Sequence, residues 1–191
     1  YTREELAPLI KAWAESHPDL KWIEGVQAHY AAFAGDEPPR KFLDNLVSDR
    51  PVFITAFDGH TSWANTLALE LGGILHGADL PPGNVIVMEP GVNTATGELR
   101  EAAAKDPVRN LIPQPDAEQH KALLRKGMAL AASYGLTSVH NMDGNDYRLG
   151  LYNELEAAGE MTLRVYVPWD IKPETPIEEI VQAAEWKGRP Q

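Results

Sequence analysis

The sequence predicts an α/β fold built from parallel βα units, and two observations carry that expectation. Four apolar strand candidates, residues 20–26, 51–57, 136–142 and 162–169, are each followed by a helical pattern, the order that sets strands in parallel. The chain has 191 residues, whereas a complete (β/α)8 barrel typically takes ~250. A flat doubly wound sheet and a partial barrel both fit this pattern; a complete barrel does not.

Thr2-Arg3-Glu4-Glu5 fits a capping box, and Leu6, Leu9, Ile10 and Trp13 follow at helical spacing until His17-Pro18. The apolar run Leu20 to Val26 reads as a strand, and Arg40 to Leu46, after Pro38-Pro39, as a helix. Pro51 to Phe57 is the strongest strand, β-branched and aromatic, with proline at the first residue, where its missing N–H matters least. After Asp58-Gly59-His60, a helix is predicted from Thr61, because Trp63, Ala64, Leu67, Ala68 and Leu71 repeat at helical spacing as far as Gly72-Gly73. Leu80 to Gly97 reads as a small β excursion around Val85 to Met88, and Glu98 to Lys105 as helical. Pro107 to Pro115 is a connector, and Asp116 caps a helix reaching Tyr134. Then come a strand over Leu136 to Met142, a helix over Asn145 to Ala158, a strand over Thr162 to Trp169, and a last helix from Thr175.

Hydrophobic residues make up 43% and charged ones 24%, which is ordinary globular usage. With 28 acidic against 17 basic side chains the net charge is -11, and no basic patch offsets it, so no nucleic-acid partner is expected. The absence of cysteine removes disulfides, thiolate ligands and a cysteine nucleophile. No apolar run approaches the ~20 residues that span a bilayer, and Tyr1 to Glu5 lack the pattern of a signal peptide. The expectation is a soluble, cytoplasmic piece with no membrane partner. A start at Tyr1 without Met and an end at Arg189-Pro190-Gln191 suggest a segment of something longer.

In parallel α/β architectures the ligand lies beyond the carboxyl ends of the strands. Those ends carry Gln27 to His29, Asp58 and His60, His140, Asn141 and Asp143, and Trp169 and Asp170. His60 and His140 are read as functional ahead of a packing or capping role, because strand-end loops carry function more often than cores do. Asp58 has a strong alternative as a turn and helix-terminus residue. Trp63 is either the wall of an apolar pocket or core. The six histidines include no pair at i,i+2, i,i+3 or i,i+4, so no local metal motif exists. Dinucleotide, P-loop and serine-elbow signatures are absent too. Ser62 and Ser138, two residues from His60 and His140, carry little weight without an orienting acid.

The block Asp58-Gly59-His60-Thr61-Ser62-Trp63-Ala64-Asn65-Thr66-Leu67-Ala68-Leu69, directly after Pro51-Val52-Phe53-Ile54, resembles amidohydrolase family 3. That is the group of N-substituted formamide deformylase-like and exoenzyme regulatory protein-like metal-dependent hydrolases. Pro39 to Asp44 and Asp49 to Val52 resemble the approach to that block, and Thr96 to Ala103 and Gly135 to His140 resemble later blocks in the same order. The likeness runs from about Trp22 to Pro168. Two departures are Asn141, where the family often has Asp, and Pro82-Gly83-Asn84, which lacks a second Gly.

The resemblance implies a (β/α)8 barrel with an insertion and a small β-sandwich. It implies hydrolysis of C–N bonds other than peptide bonds, with one or two divalent metals, usually zinc. The metal ligands it implies are a His-x-His, a Lys that can be carboxylated, two further His and an Asp. None of these motifs is present, and the resemblance would place them before Tyr1 and after Gln191. The chain is thus expected to be an internal segment, a partial barrel of βα units over 1–79 and 114–191 with a β insertion and connector over 80–113. It would supply Asp58, His60, Trp63 and His140 as pocket wall for a small amide-type substrate, with no metal bound to the segment and no activity alone. A second reading is a stand-alone α/β binding or regulatory domain. A third is a scaffold whose open sheet edges a homodimer would cover.

Overall fold

The computed structural model describes residues 1–142, 144–169, 171 and 175–185. They fall into two units, Tyr1–Pro113 and Gln114–Gln191.

The first unit opens with α1 (Arg3–Ser16), whose capping box is formed: the Glu5 amide donates to the Thr2 hydroxyl, and the Thr2 amide donates to the Glu5 carboxylate at 2.9 Å. Strand β1 (Ile23–Ala28) leads through a 3-10 turn and α2 (Pro39–Leu46) to β2 (Val52–Ala56), which lies parallel to β1. This first crossover is a parallel βα unit. The next is not. Gly59, at φ 76°, and its N–H to the Ala56 carbonyl turn the chain back, so Thr61–Ala64 forms β3, antiparallel to β2, where a helix was expected. All four of its residues are buried, so no polar alternation marks it as a strand. The helix, α3 (Thr66–Leu71), starts one residue beyond Asn65, its cap.

Strand β4 (Val85–Met88) and strand β5 (Ala95–Arg100) complete a five-stranded sheet of order β1-β2-β3-β5-β4. The stretch read as a small β excursion thus supplies β4 and the start of β5 to the main sheet. The helix expected from Glu98 begins only at α4 (Ala102–Arg109). In β2 side chains alternate: Val52, Ile54 and Ala56 enter one core with Trp63, Leu43 and Phe42, and Phe53 enters the other with Leu69, Leu99 and Val108. Burial on both faces explains why this strand reads as a continuous apolar run. Arg40 of α2 reaches across to β5, donating from Nε to the Ala95 carbonyl at 2.8 Å and pairing with Glu89.

In the second unit, α5 (Ala117–Ser133), β6 (Ser138–His140), α6 (Asp146–Ala157) and β7 (Arg164–Tyr166) follow the expected order, and β6 and β7 are parallel. Both strands are shorter than the apolar runs suggested. Helix α7 (Ile177–Ala184) comes last among the described residues. Met128, Leu155 and Leu163 form the core here. Lys121 of α5 binds Glu118 at 2.6 Å and Glu154 of α6 at 2.7 Å, and these bonds, Glu118's first, hold its ammonium above the usual lysine range. Among the described residues no helix is long and apolar enough to cross a membrane.

Candidate functional site

Because β1, β2 and β5 run the same way, all three end on one edge of the five-stranded sheet, and the β2–β3 turn lies on that edge. Asp58 sits in this turn. Its Oδ1 accepts the His60 backbone N–H at 3.0 Å, and the Tyr30 hydroxyl lies 3.1 Å from its Oδ2 and 3.0 Å from Thr61 Oγ1. A turn that spends a side-chain carboxylate on the amide two residues on is what Asp offers over other residues. The His60 N–H, and after it the Tyr30 hydroxyl, hold the Asp58 carboxyl below the usual carboxylate range against the opposing effect of partial burial.

A folded-state pKa below the unfolded one means that this contribution to stability is complete above the unfolded value of ~3.9 and lost as pH falls through the folded one. We therefore expect the His60 amide resonance to titrate with a midpoint below ~3.9. A midpoint above that value would contradict the hydrogen-bonded turn.

His60 Nδ1 lies 3.1 Å and 3.3 Å from the two carboxylate oxygens of Glu101, across the end of the β3–β5 ladder, where the Glu101 N–H also donates to the His60 carbonyl at 2.8 Å. Both side chains are exposed. Behind the turn, Lys105 of α4 donates to the Gly59 carbonyl. Lys105 is only 6% exposed. Burial, reinforced by Arg109, pushes its ammonium below the usual lysine range.

Among the described residues, two other than glycine occupy left-handed backbone, Gln27 at φ 63° and Glu101 at φ 66°, and both belong to this edge. Glu101, with ψ 170°, is in a region that is nearly glycine's own. Each such residue costs on the order of 1–3 kcal/mol, and such strain gathers at functional sites. Trp63 is 1% exposed, stacked on Phe33 at 4.1 Å between ring centroids and edge-on to Tyr30 at 5.5 Å. It is core, the alternative left open above, and it backs the turn from inside. Ser62 is buried and its hydroxyl meets Thr55 at 3.2 Å. His29 stacks on Phe57.

His140 belongs to the second unit, where its ring leans on Tyr166 at 5.0 Å. Asp143 and Asp170 lie outside the described residues. A cavity of about 570 Å³ opens in this unit, lined among others by Leu124, Met128, Val139, Asn141, Arg148 and Val165.

Of the residues singled out in the sequence, Asp58 and His60 are brought together at the turn. Tyr30, Glu101 and Lys105, which complete the cluster, carried no sequence signal. Among the described residues no group of three or more His, Asp or Glu side chains is placed to hold a metal ion. These residues therefore do not fit a metal ion. What the edge offers is an ionised carboxylate, an imidazole oriented by a second carboxylate, and a rigid backing, a set suited to orienting a polar ligand.

A family model described as "Amidohydrolase family" matches residues 2–190. The chain is 27% identical over 164 residues to the N-substituted formamide deformylase of Arthrobacter pascens and 26% identical over 153 residues to the protein LONG AFTER FAR-RED 3 of Arabidopsis thaliana. The matches cover 84% and 80% of this chain but 30% and 26% of those proteins, so the chain spans about a quarter to a third of their length. Two crystal structures of uncharacterized metal-dependent hydrolases share the fold, both at 23% identity. The one from Pyrococcus horikoshii aligns with a TM-score of 0.59 over all of this chain and 34% of its own. The one from Pyrococcus furiosus aligns with a TM-score of 0.52 over 88% of this chain and 32% of its own. With the family model running almost end to end, the chain belongs to the amidohydrolase family.

Proposed function

We propose that the chain is part of a metal-dependent hydrolase that cleaves a non-peptide C–N bond of a small amide, and that the Asp58–His60 turn is where it meets that substrate. In this reading the chain forms part of a (β/α)8 barrel, and the divalent metal, zinc by the resemblance, is held by residues other than those described here. His140 is assigned a contact role within the second unit, and Trp63 supports the turn from the core. Alone, the 191 residues bind substrate without hydrolysing it.

The observation that carries the reading is the turn itself: two exposed polar side chains held in place by Tyr30, Glu101 and Lys105 at the edge where three strands end. The Arthrobacter pascens relative supports the bond type through its name. For an N-substituted formamide, water adds across the amide, the carbonyl C–N bond breaks, a C–O bond forms, and an amine and formate leave. Here His60 orients the amide, while Asp58 holds the backbone that carries His60.

The test is formate release from an N-substituted formamide by the intact protein. We expect His60→Ala to lower kcat/KM by about 10-fold, the value of one lost hydrogen bond. An unchanged kcat/KM removes His60 from the site. The cavity of the second unit favours the other reading, a small-molecule binding domain, because about 570 Å³ lies within the range of ligand pockets. That reading requires ligand binding that His60→Ala leaves untouched and that substitution of Met128 abolishes.

A further inference from the structure

Glu101 poses a question that substrate contact by His60 does not answer. Its backbone, at φ 66° and ψ 170°, is one that glycine adopts freely and a glutamate adopts at a cost. Nothing in the turn from β5 into α4 requires a side chain there, since the backbone bonds at this point, Glu101 N–H to the His60 carbonyl and Lys105 N–H to the Glu101 carbonyl, would form equally well with glycine. What the side chain adds is its carboxylate, at 3.1 Å and 3.3 Å from His60 Nδ1, together with a charge interaction toward Lys105.

A neutral imidazole has one N–H and one lone pair, and the partner of one nitrogen decides which is which. A carboxylate can only accept. Facing Glu101, Nδ1 therefore carries the proton, and the lone pair is left on Nε2, which has no hydrogen-bond partner among the described residues and lies on an exposed ring. We propose that Glu101 is a positioning residue that fixes His60 with Nε2 as a hydrogen-bond acceptor, and that the site thereby selects amides bearing an N–H over N,N-disubstituted ones. The selection rests on the substrate-contact role of His60 proposed above; the tautomer does not. An amide N–H can donate to that Nε2 whereas an N,N-disubstituted amide leaves it to water, so the first gains one net hydrogen bond, worth about 1 kcal/mol.

The test uses the 191-residue chain, with the His60 ring nitrogens followed by 15N NMR above the histidine titration and with N-methylformamide and N,N-dimethylformamide as probes. The expected result is an Nδ1–H imidazole in the parent chain, a shift to mainly Nε2–H in Glu101→Gly, and an intermediate position in Glu101→Gln, whose amide oxygen still accepts. Glu101→Gly is expected to melt no lower than the parent, since it relieves the backbone. N-methylformamide is expected to bind at least 5-fold more tightly than N,N-dimethylformamide, with the ratio falling toward one in Glu101→Gly.

An unchanged tautomer in Glu101→Gly, with a lowered melting temperature, would make Glu101 a structural strap and overturn the positioning role. The tautomer shift without any preference between the amides overturns the selection. Binding of neither amide overturns the substrate reading of the turn itself, a failure the tautomer measurement separates from that of Glu101.

Discussion

Asn65→Ala is expected to destabilise the first unit by about 4 kcal/mol, on the order of 1 kcal/mol for each buried backbone group left without its partner. The side chain is fully buried. Its Oδ1 accepts from Val52 N–H at 2.9 Å and from Ala68 N–H at 3.0 Å, and its Nδ2 donates to the Val47 carbonyl at 3.2 Å and the Arg50 carbonyl at 2.9 Å. One residue thus caps α3, ends β3 and ties both to the chain entering β2. A loss of this size is a large fraction of a domain's whole stability, and urea unfolding followed by tryptophan fluorescence measures it. Asn65→Asp keeps both accepted bonds but turns an anion toward two carbonyl oxygens, so it is expected to be comparably damaging at neutral pH and milder in acid, where the protonated group can donate once. A loss below 1 kcal/mol in Asn65→Ala would mean that the four contacts do not hold the hairpin.

Gly97→Ala is the second large effect, at about 3 kcal/mol. Gly97 lies in β5 at φ 100°, and a Cβ there would come within 2.6 Å of the Ala64 carbonyl oxygen and 2.7 Å of the Arg40 nitrogen. Both are backbone atoms, one in the neighbouring strand and one in the helix packed over it, so neither yields like a side chain. Gly59→Ala is the control: it shares the positive φ, at 76°, but its Cβ would meet nothing within 4 Å. It is expected to cost about 1 kcal/mol, the conformational part alone. Equal losses at the two positions would show that the α2–β5 approach is looser than described.

These two positions also show where the sequence is readable and where it is not. The capping box of Thr2 with Glu5 and the N-cap at Asp116 are local, and both form as read, with Gln119 closing a second box in the structure. The strand over Thr61–Ala64 was hidden because four buried residues in a row carry no alternation, and Trp63 with Leu67 offered a helical spacing instead. Glu98 was drawn into a helix for a similar reason: the left-handed backbone of Gly97 and Glu101, which bounds the strand's end, is decided by packing against α2 and β3.

The site divides along the same line. Asp58 and His60 stand out because a turn concentrates them within three residues. Their partners come from afar: Tyr30 is 28 residues away from Asp58, Glu101 is 41 from His60 and Lys105 is 46 from Gly59. No pattern in one sequence connects such positions. Trp63 shows the opposite case, a residue whose chemistry suggests a pocket and whose neighbours, Phe33 and Tyr30, make it core.

The central claim is that the Asp58–His60 turn meets a small amide. Chemical-shift mapping of the chain during titration with N-methylformamide tests it most directly. The account predicts saturable shifts at Tyr30, Asp58, Gly59, His60 and Glu101, and their loss in His60→Ala. Shifts confined to the residues lining the second-unit cavity, among them Met128, Val139 and Val165, would contradict it.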